Sequence, residues 1–184
     1  ERSAMEPALV FGQIQQWKPA FENLTDQLLN KLEARSTADL FHAFAVPLSA
    51  GYLKLVLGLD EVAENHLFEW ASLLVRGAMN SNFDPAIFAL SDHANTEMDA
   101  CFDRMIAQKM ISPDGSILSI MANENTPLAI SQIRTNMKIC IGGAVLETRD
   151  ALLSTIYGLL SHPDQLRHCV SPNGWRSCCE EGLR

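Results

Sequence analysis

From Thr126 to Ser161 apolar residues recur at helical spacing without interruption, and this run constrains the fold more than any other feature of the chain. Thr126 has the character of an N-cap and Pro127 that of a first-turn residue, while His162-Pro163 ends the pattern. At about 1.5 Å per residue such a rod is roughly 50 Å long, enough to cross a whole domain, so shorter helices must be organised around it. Its middle, Ile139-Cys-Ile-Gly-Gly-Ala-Val-Leu146, is apolar all round, which predicts burial on all sides. The chain of 184 residues can bury one sizeable core and is read as a single domain, 1–184; with 47% hydrophobic and 20% charged residues, wholesale disorder is excluded.

The remaining chain also carries helical periodicity, and strand-like alternation is scarce. Residues 17–32 place Phe21, Leu24, Leu28, Leu29 and Leu32 on one stripe. Residues 38–57 form an apolar helix or pair that Pro47 should kink or restart. A Gly58-Leu-Asp60 turn leads to a helix over 62–76, with Leu67, Trp70, Leu73 and Leu74 inward. Asp84-Pro85 caps and opens a long amphipathic helix to about Lys109; Ser112-Pro-Asp-Gly115 is a turn, followed by a short helix over 117–123. Pro163 starts another short helix through Arg167, and Ser171-Pro-Asn-Gly174 leads into a last one over 175–184. The fold class is all-α.

Several functions are disfavoured by composition. The 22 acidic and 14 basic side chains give a formal net charge of -8, which opposes a nucleic-acid surface. No run of eighteen apolar residues exists to span a membrane. The five cysteines (101, 140, 169, 178, 179) have no Cys-x-x-Cys spacing, and the histidines form no ligand pair, so no side-chain metal site is expected in this segment. Reduced thiols fit a cytoplasmic protein. The chain starts at Glu1 without a methionine and stops at Arg184 in a helical pattern, which suggests a segment of something longer.

Two features need a physical reason. Gly142 and Gly143 sit mid-helix, where each costs about 1 kcal/mol relative to alanine. Either they admit close helix packing, or their bare backbone lets a flat ligand approach and allows local distortion. Glu147 follows the apolar octet, so it is either paired with a neighbouring arginine or available to deliver or position protons beside a ligand. Glu181 and Arg184, three apart, share a helix face.

Taken in order, these pieces resemble the central part of a cytochrome P450 of the soluble bacterial kind. "SAMEPALV" (3–10) resembles the end of that family's C helix, and "DLFHAFAVPLSAGYLKLVLGL" (39–59) its E-helix stretch. The long helix with central glycines resembles the I helix that crosses the haem, "SHPDQLRH" the entry to the short J helix, and "EEGLR" the K-helix Glu-x-x-Arg, with Glu181 and Arg184 in its two places. The resemblance implies a partial P450 fold and a haem-thiolate monooxygenase that activates dioxygen and takes electrons from a ferredoxin or flavin reductase. It puts Gly142 and Gly143 at the cofactor, Ile139 at substrate or haem, and makes Glu181–Arg184 a structural pair. The Gly-Gly-x-x-x-Glu-x-Arg-Asp pattern is similar to that of P450s that O-demethylate small methoxy-aromatics.

Two departures from the family stand out. Counting back from Pro163 places Glu147 where the family usually has threonine, whereas the letters themselves give Glu147–Thr148 as the acid–alcohol pair; Glu147 is the preferred haem-facing residue. No Phe-x-x-Gly-x-x-x-Cys-x-Gly loop occurs, so the haem-binding cysteine, like the N-terminal helices, belongs outside this segment, and the isolated chain is expected to be inactive. The competing readings are a haem-free helical module with an apolar pocket and a purely structural bundle.

Overall fold

The computed structural model describes residues 5–124 and 128–183. Among them are seven α-helices and no strand: α1 (Phe11–Glu33), α2 (Val46–Leu57), α3 (Glu64–Ala78), α4 (Pro85–Ile111), α5 (Ile117–Ala122), α6 (Ile130–Ser161) and α7 (Pro172–Gly182). Short 3-10 turns at Glu6–Leu9 and Pro163–His168 precede α1 and α7. The all-α expectation holds. Thr126 and Pro127, read as the start of the long helix, lie outside the described residues. There, α6 begins at Ile130, with the Gln132 Oε1 accepting from the Ala129 N–H at 3.0 Å.

Side-chain caps open three of the helices as their chemistry requires, at Asp84 as the sequence suggests and also at Ser116 and Ser171. Asp84 accepts from the Ala86 N–H at 2.9 Å to start α4, Ser116 from Ser119 at 3.3 Å to start α5, and Ser171 from Gly174 at 3.2 Å. The last cap puts Pro172 in the first turn, so α7 begins three residues before the expected Trp175. Upstream, α1 extends two turns before the expected Trp17 and runs through Pro19, which removes one main-chain donor without ending the helix.

Pro47 neither breaks nor visibly restarts its helix. The five residues Phe41–Ala45, one residue short of it, form a π turn in which the Val46 N–H reaches back to the Phe41 carbonyl. Widening the helix by one residue there accommodates the missing Pro47 donor while α2 continues. At its far end Gly58 adopts φ 77°, a left-handed cap whose N–H bonds to the Lys54 carbonyl at 2.9 Å. A Cβ on Gly58 would lie 2.2 Å from Ser116 Oγ, so this glycine is required on both counts.

The core is built around α6, which packs against α2, α3, α4, α5, α7 and the π turn. Leu57, Leu59, Leu67, Met98, Phe102, Leu118, Met137, Ile141 and Val145 are fully buried in one cluster. A second, formed by Leu28, Phe44 and Leu48 with Leu152 and Ile156 against it, fastens α1 to the end of α6. Two ion pairs bind α4 to α6: Arg134 to Asp103, with Nε–Oδ1 at 2.8 Å, and Lys138 to Asp99 at 2.7 Å. No helix of the described residues is long and apolar enough to cross a membrane.

Lys109, buried at the end of α4, donates to Asp60 Oδ2 at 2.7 Å and to the Asp114 carboxylate, tying the α2–α3 turn to the loop at 112–115. Burial alone would push the ammonium down, but the two carboxylates outweigh it and raise Lys109. Burial likewise opposes the hydrogen bonds from Lys109 and Ser116 at Asp114, and the bonds win, holding that carboxyl below its ordinary value. A lowered carboxyl contributes stability above its unfolded value, and a raised ammonium contributes below its own, so the cluster stabilises between about pH 4 and pH 10. Lys109→Met should therefore cost about 1–2 kcal/mol at pH 7, because half-exposed Asp114 is partly screened. In thermal melts the gap between the two proteins should narrow as pH falls below about 4. Gly58→Ala should lower stability by about 2 kcal/mol in urea titrations, from the left-handed backbone and the clash with Ser116.

Candidate functional site

Along α6 residues 133, 137, 141 and 145 (Ile, Met, Ile and Val) are buried, and residues 135, 139, 143 and 147 (Thr, Ile, Gly and Glu) are exposed. Two residues on a helix differ by about 200°, so at each level the second ribbon lies opposite the first, and both wind about the rod by about 40° per step. The expectation that the octet is buried on all sides is thus corrected. Ile139 is 65% exposed and Gly143 is exposed, because no described element lies against that side.

The two central glycines separate in role. An added Cβ on Gly142 would stand 3.8 Å from Leu74 Cδ1 of α3, an ordinary van der Waals contact. On Gly143 it would meet nothing within 4 Å. Neither glycine is required for helix packing in this structure, in contrast to Gly182 of α7, whose Cβ would fall 2.0 Å from Thr155 Oγ1 of α6. Nor do the glycines distort the rod, which is α-helical at every residue from 130 to 161.

Ile139, Gly143 and Glu147 are brought together on the open ribbon; Gly142 turns toward α3. Thr148, also exposed, lies about 100° round from Glu147. Glu147 is not the partner of the neighbouring arginine. Arg149 Nε instead donates to Asp150 Oδ1 at 2.7 Å, and its guanidinium lies 4.9 Å from the centre of the Phe41 ring and 5.5 Å from that of Phe68. The sequence reading missed this clasp; the available signal was Arg149's place four residues after buried Val145. Beside the open ribbon, burial pushes the Cys140 thiol up, which favours the protonated form.

Glu181 of α7 lines a cleft of about 880 Å³ between α6, the Pro163–His168 turn and α7, whose α6 wall starts at Ser154, about two turns past Glu147. Thr155, Gly158, Cys169 and Cys178 share its walls. Burial and neighbouring Cys169 push the Cys178 thiol up. Arg184, the second member of the expected pair, is outside the described residues.

No family model matches the chain. It is 29% identical over 189 aligned positions, the whole of this chain, to the putative cytochrome P450 YjiB of Bacillus subtilis strain 168, of which it covers 48%. Among solved structures, CalO2 matches 99% of the chain with a TM-score of 0.90 at 20% identity, and 46% of that chain is covered. P450BioI, solved in complex with hexadec-9Z-enoic acid ligated acyl carrier protein, matches 99% with a TM-score of 0.87 at 19% identity and 47% covered. The chain thus spans about half the length of the relatives it matches. The chain resembles cytochrome P450s in sequence and carries part of their fold.

Proposed function

We propose that the whole protein is a haem-thiolate monooxygenase and that the open ribbon of α6 is the wall it turns to haem and substrate. The observation that carries this reading is Gly143: a costly mid-helix glycine with no protein atom where its side chain would be, on the bare side of the longest helix. An apolar, side-chain-free surface flanked by a carboxylate fits a flat macrocycle with a small ligand above it. When bound, haem supplies the iron chemistry that reduces dioxygen and places one oxygen atom in an organic substrate.

The residues of this chain then have distinct tasks. Gly143 would leave room for the gas and the ring edge, Gly142 would stand beside it at the cofactor, and Ile139 would give apolar contact one turn away. Glu147 holds and passes a proton at its carboxylate on the open side, and Thr148 offers a hydroxyl at the rim. Glu181 and Arg184 are the structural pair in this reading. We place the iron's cysteine outside these 184 residues, since none of the five present has the glycine-rich context of such a ligand. Electrons come from a ferredoxin or flavin reductase in this reading. The Gly-Gly-x-x-x-Glu-x-Arg-Asp pattern supports a small methoxy-aromatic as substrate, and the uncrosslinked cysteines a cytoplasmic setting.

The full-length protein, reduced under carbon monoxide, should move its Soret band toward about 450 nm, while the 184-residue chain mixed with haem should not; absence of the shift in the full-length protein refutes the reading in favour of a haem-free module. Glu147→Ala should lower product formed per reductant consumed about tenfold, with Thr148→Ala within about twofold. Gly143→Ala should stabilise the isolated chain by about 1 kcal/mol in urea titrations, yet weaken carbon monoxide binding in the full-length protein.

A further inference from the structure

We infer that Arg149 is a positioning residue that fixes which side of α6 meets the ligand, through a clasp with Phe41 and Phe68. The inference rests on the haem-face reading above and deepens it. Arg149 follows Val145 in the packed ribbon and keeps its side chain only 14% exposed despite its charge. Its guanidinium is held against two aromatic rings that meet each other edge-on, 6.2 Å apart at 84°, and its charge is balanced by Asp150 at 2.6 Å. Phe41 is the first residue of the π turn before Pro47, and Phe68 comes from α3, so the clasp joins α6 to two other elements.

Geometry makes this clasp a register lock. Glu147 lies about 200° from Arg149 and Thr148 about 100°. Turning α6 by one residue would bring Thr148 to the place of Glu147, and the same turn would carry the guanidinium out of its aromatic seat. Burial of Ile133, Met137, Ile141 and Val145 sets the rotation of α6 as a whole, and the planar Arg149 fork stacked on two rings adds a directed contact at the turn that carries Glu147 and Thr148. Arg149 thereby holds the turn that presents the carboxylate, rather than the hydroxyl, on the open face.

The test uses the full-length haem protein as its ferrous carbon monoxide complex, whose C–O stretching band senses the groups beside the bound gas. Glu147→Gln calibrates the measurement and should move the band. Arg149→Met, Arg149→Lys and Phe41→Leu should each split or shift the same band and raise reductant consumed per product about threefold, while melting falls by only about 2–4 °C. If Glu147→Gln moves the band and the Arg149 variants leave it in place, the positioning role is overturned and the reading of the face survives. An immobile band in Glu147→Gln, or a full-length protein that takes up no haem, overturns the face reading and this inference with it. Should Arg149→Met fail to fold, the lysine variant, which keeps the charge but not the planar stack, decides the question.

Discussion

Burial of Ile133, Met137, Ile141 and Val145 along one ribbon of α6 is the interaction on which the rest of the assembly depends. Removing four such side chains from water contributes on the order of 10 kcal/mol, comparable with the net stability of a whole domain. It also fixes position, since α2, α3, α4 and α5 each reach the core by lying against that ribbon. Arg134 and Lys138 then add directed ion pairs to α4, which specify where along the rod that helix sits. The opposite ribbon receives none of this covering among the described residues, and it is the face we propose for haem and substrate.

Glycine placement marks that difference. Where helices come close, glycine is dictated by the neighbour: Thr155 crowds Gly182, Ser91 crowds Gly77, and Leu24 crowds Gly51. The pair in the middle of α6 meets no such crowding, and a helix does not benefit from flexible residues at its centre. A residue that lowers helix stability without serving a protein contact is accounted for by something outside the described chain. The likeness to cytochrome P450s and the one-sided burial together support the proposal that this object is haem with its gas ligand.

Local chemistry was legible in the sequence wherever a single residue type sufficed. Asp84 is a recognisable cap, Gly58-Leu-Asp60 and Ser112-Pro-Asp-Gly115 recognisable turns, and the long rod a recognisable periodic run. The open side of α6 was not legible, because Ile139 and Ile141 are the same residue type and only the presence or absence of a neighbour separates them. Arg149 was hidden for a related reason: its partners Phe41 and Phe68 are remote in sequence, and the nearby acidic residues made a simple ion pair with Glu147 the natural expectation. The π turn escaped because a proline announces a disturbance without stating its form. What a sequence encodes weakly, in each of these cases, is the identity of a distant surface.

The bare ribbon has a consequence for handling the polypeptide. Ile139, Tyr157 and Leu160 stand in water along the same rod, and Phe11 and Ile111 are exposed elsewhere on the molecule. Greasy surface of this kind is adhesive, so a preparation of these residues alone invites clumping and capture by chaperones, and its yield measures how well that surface is shielded rather than how well the helices fold.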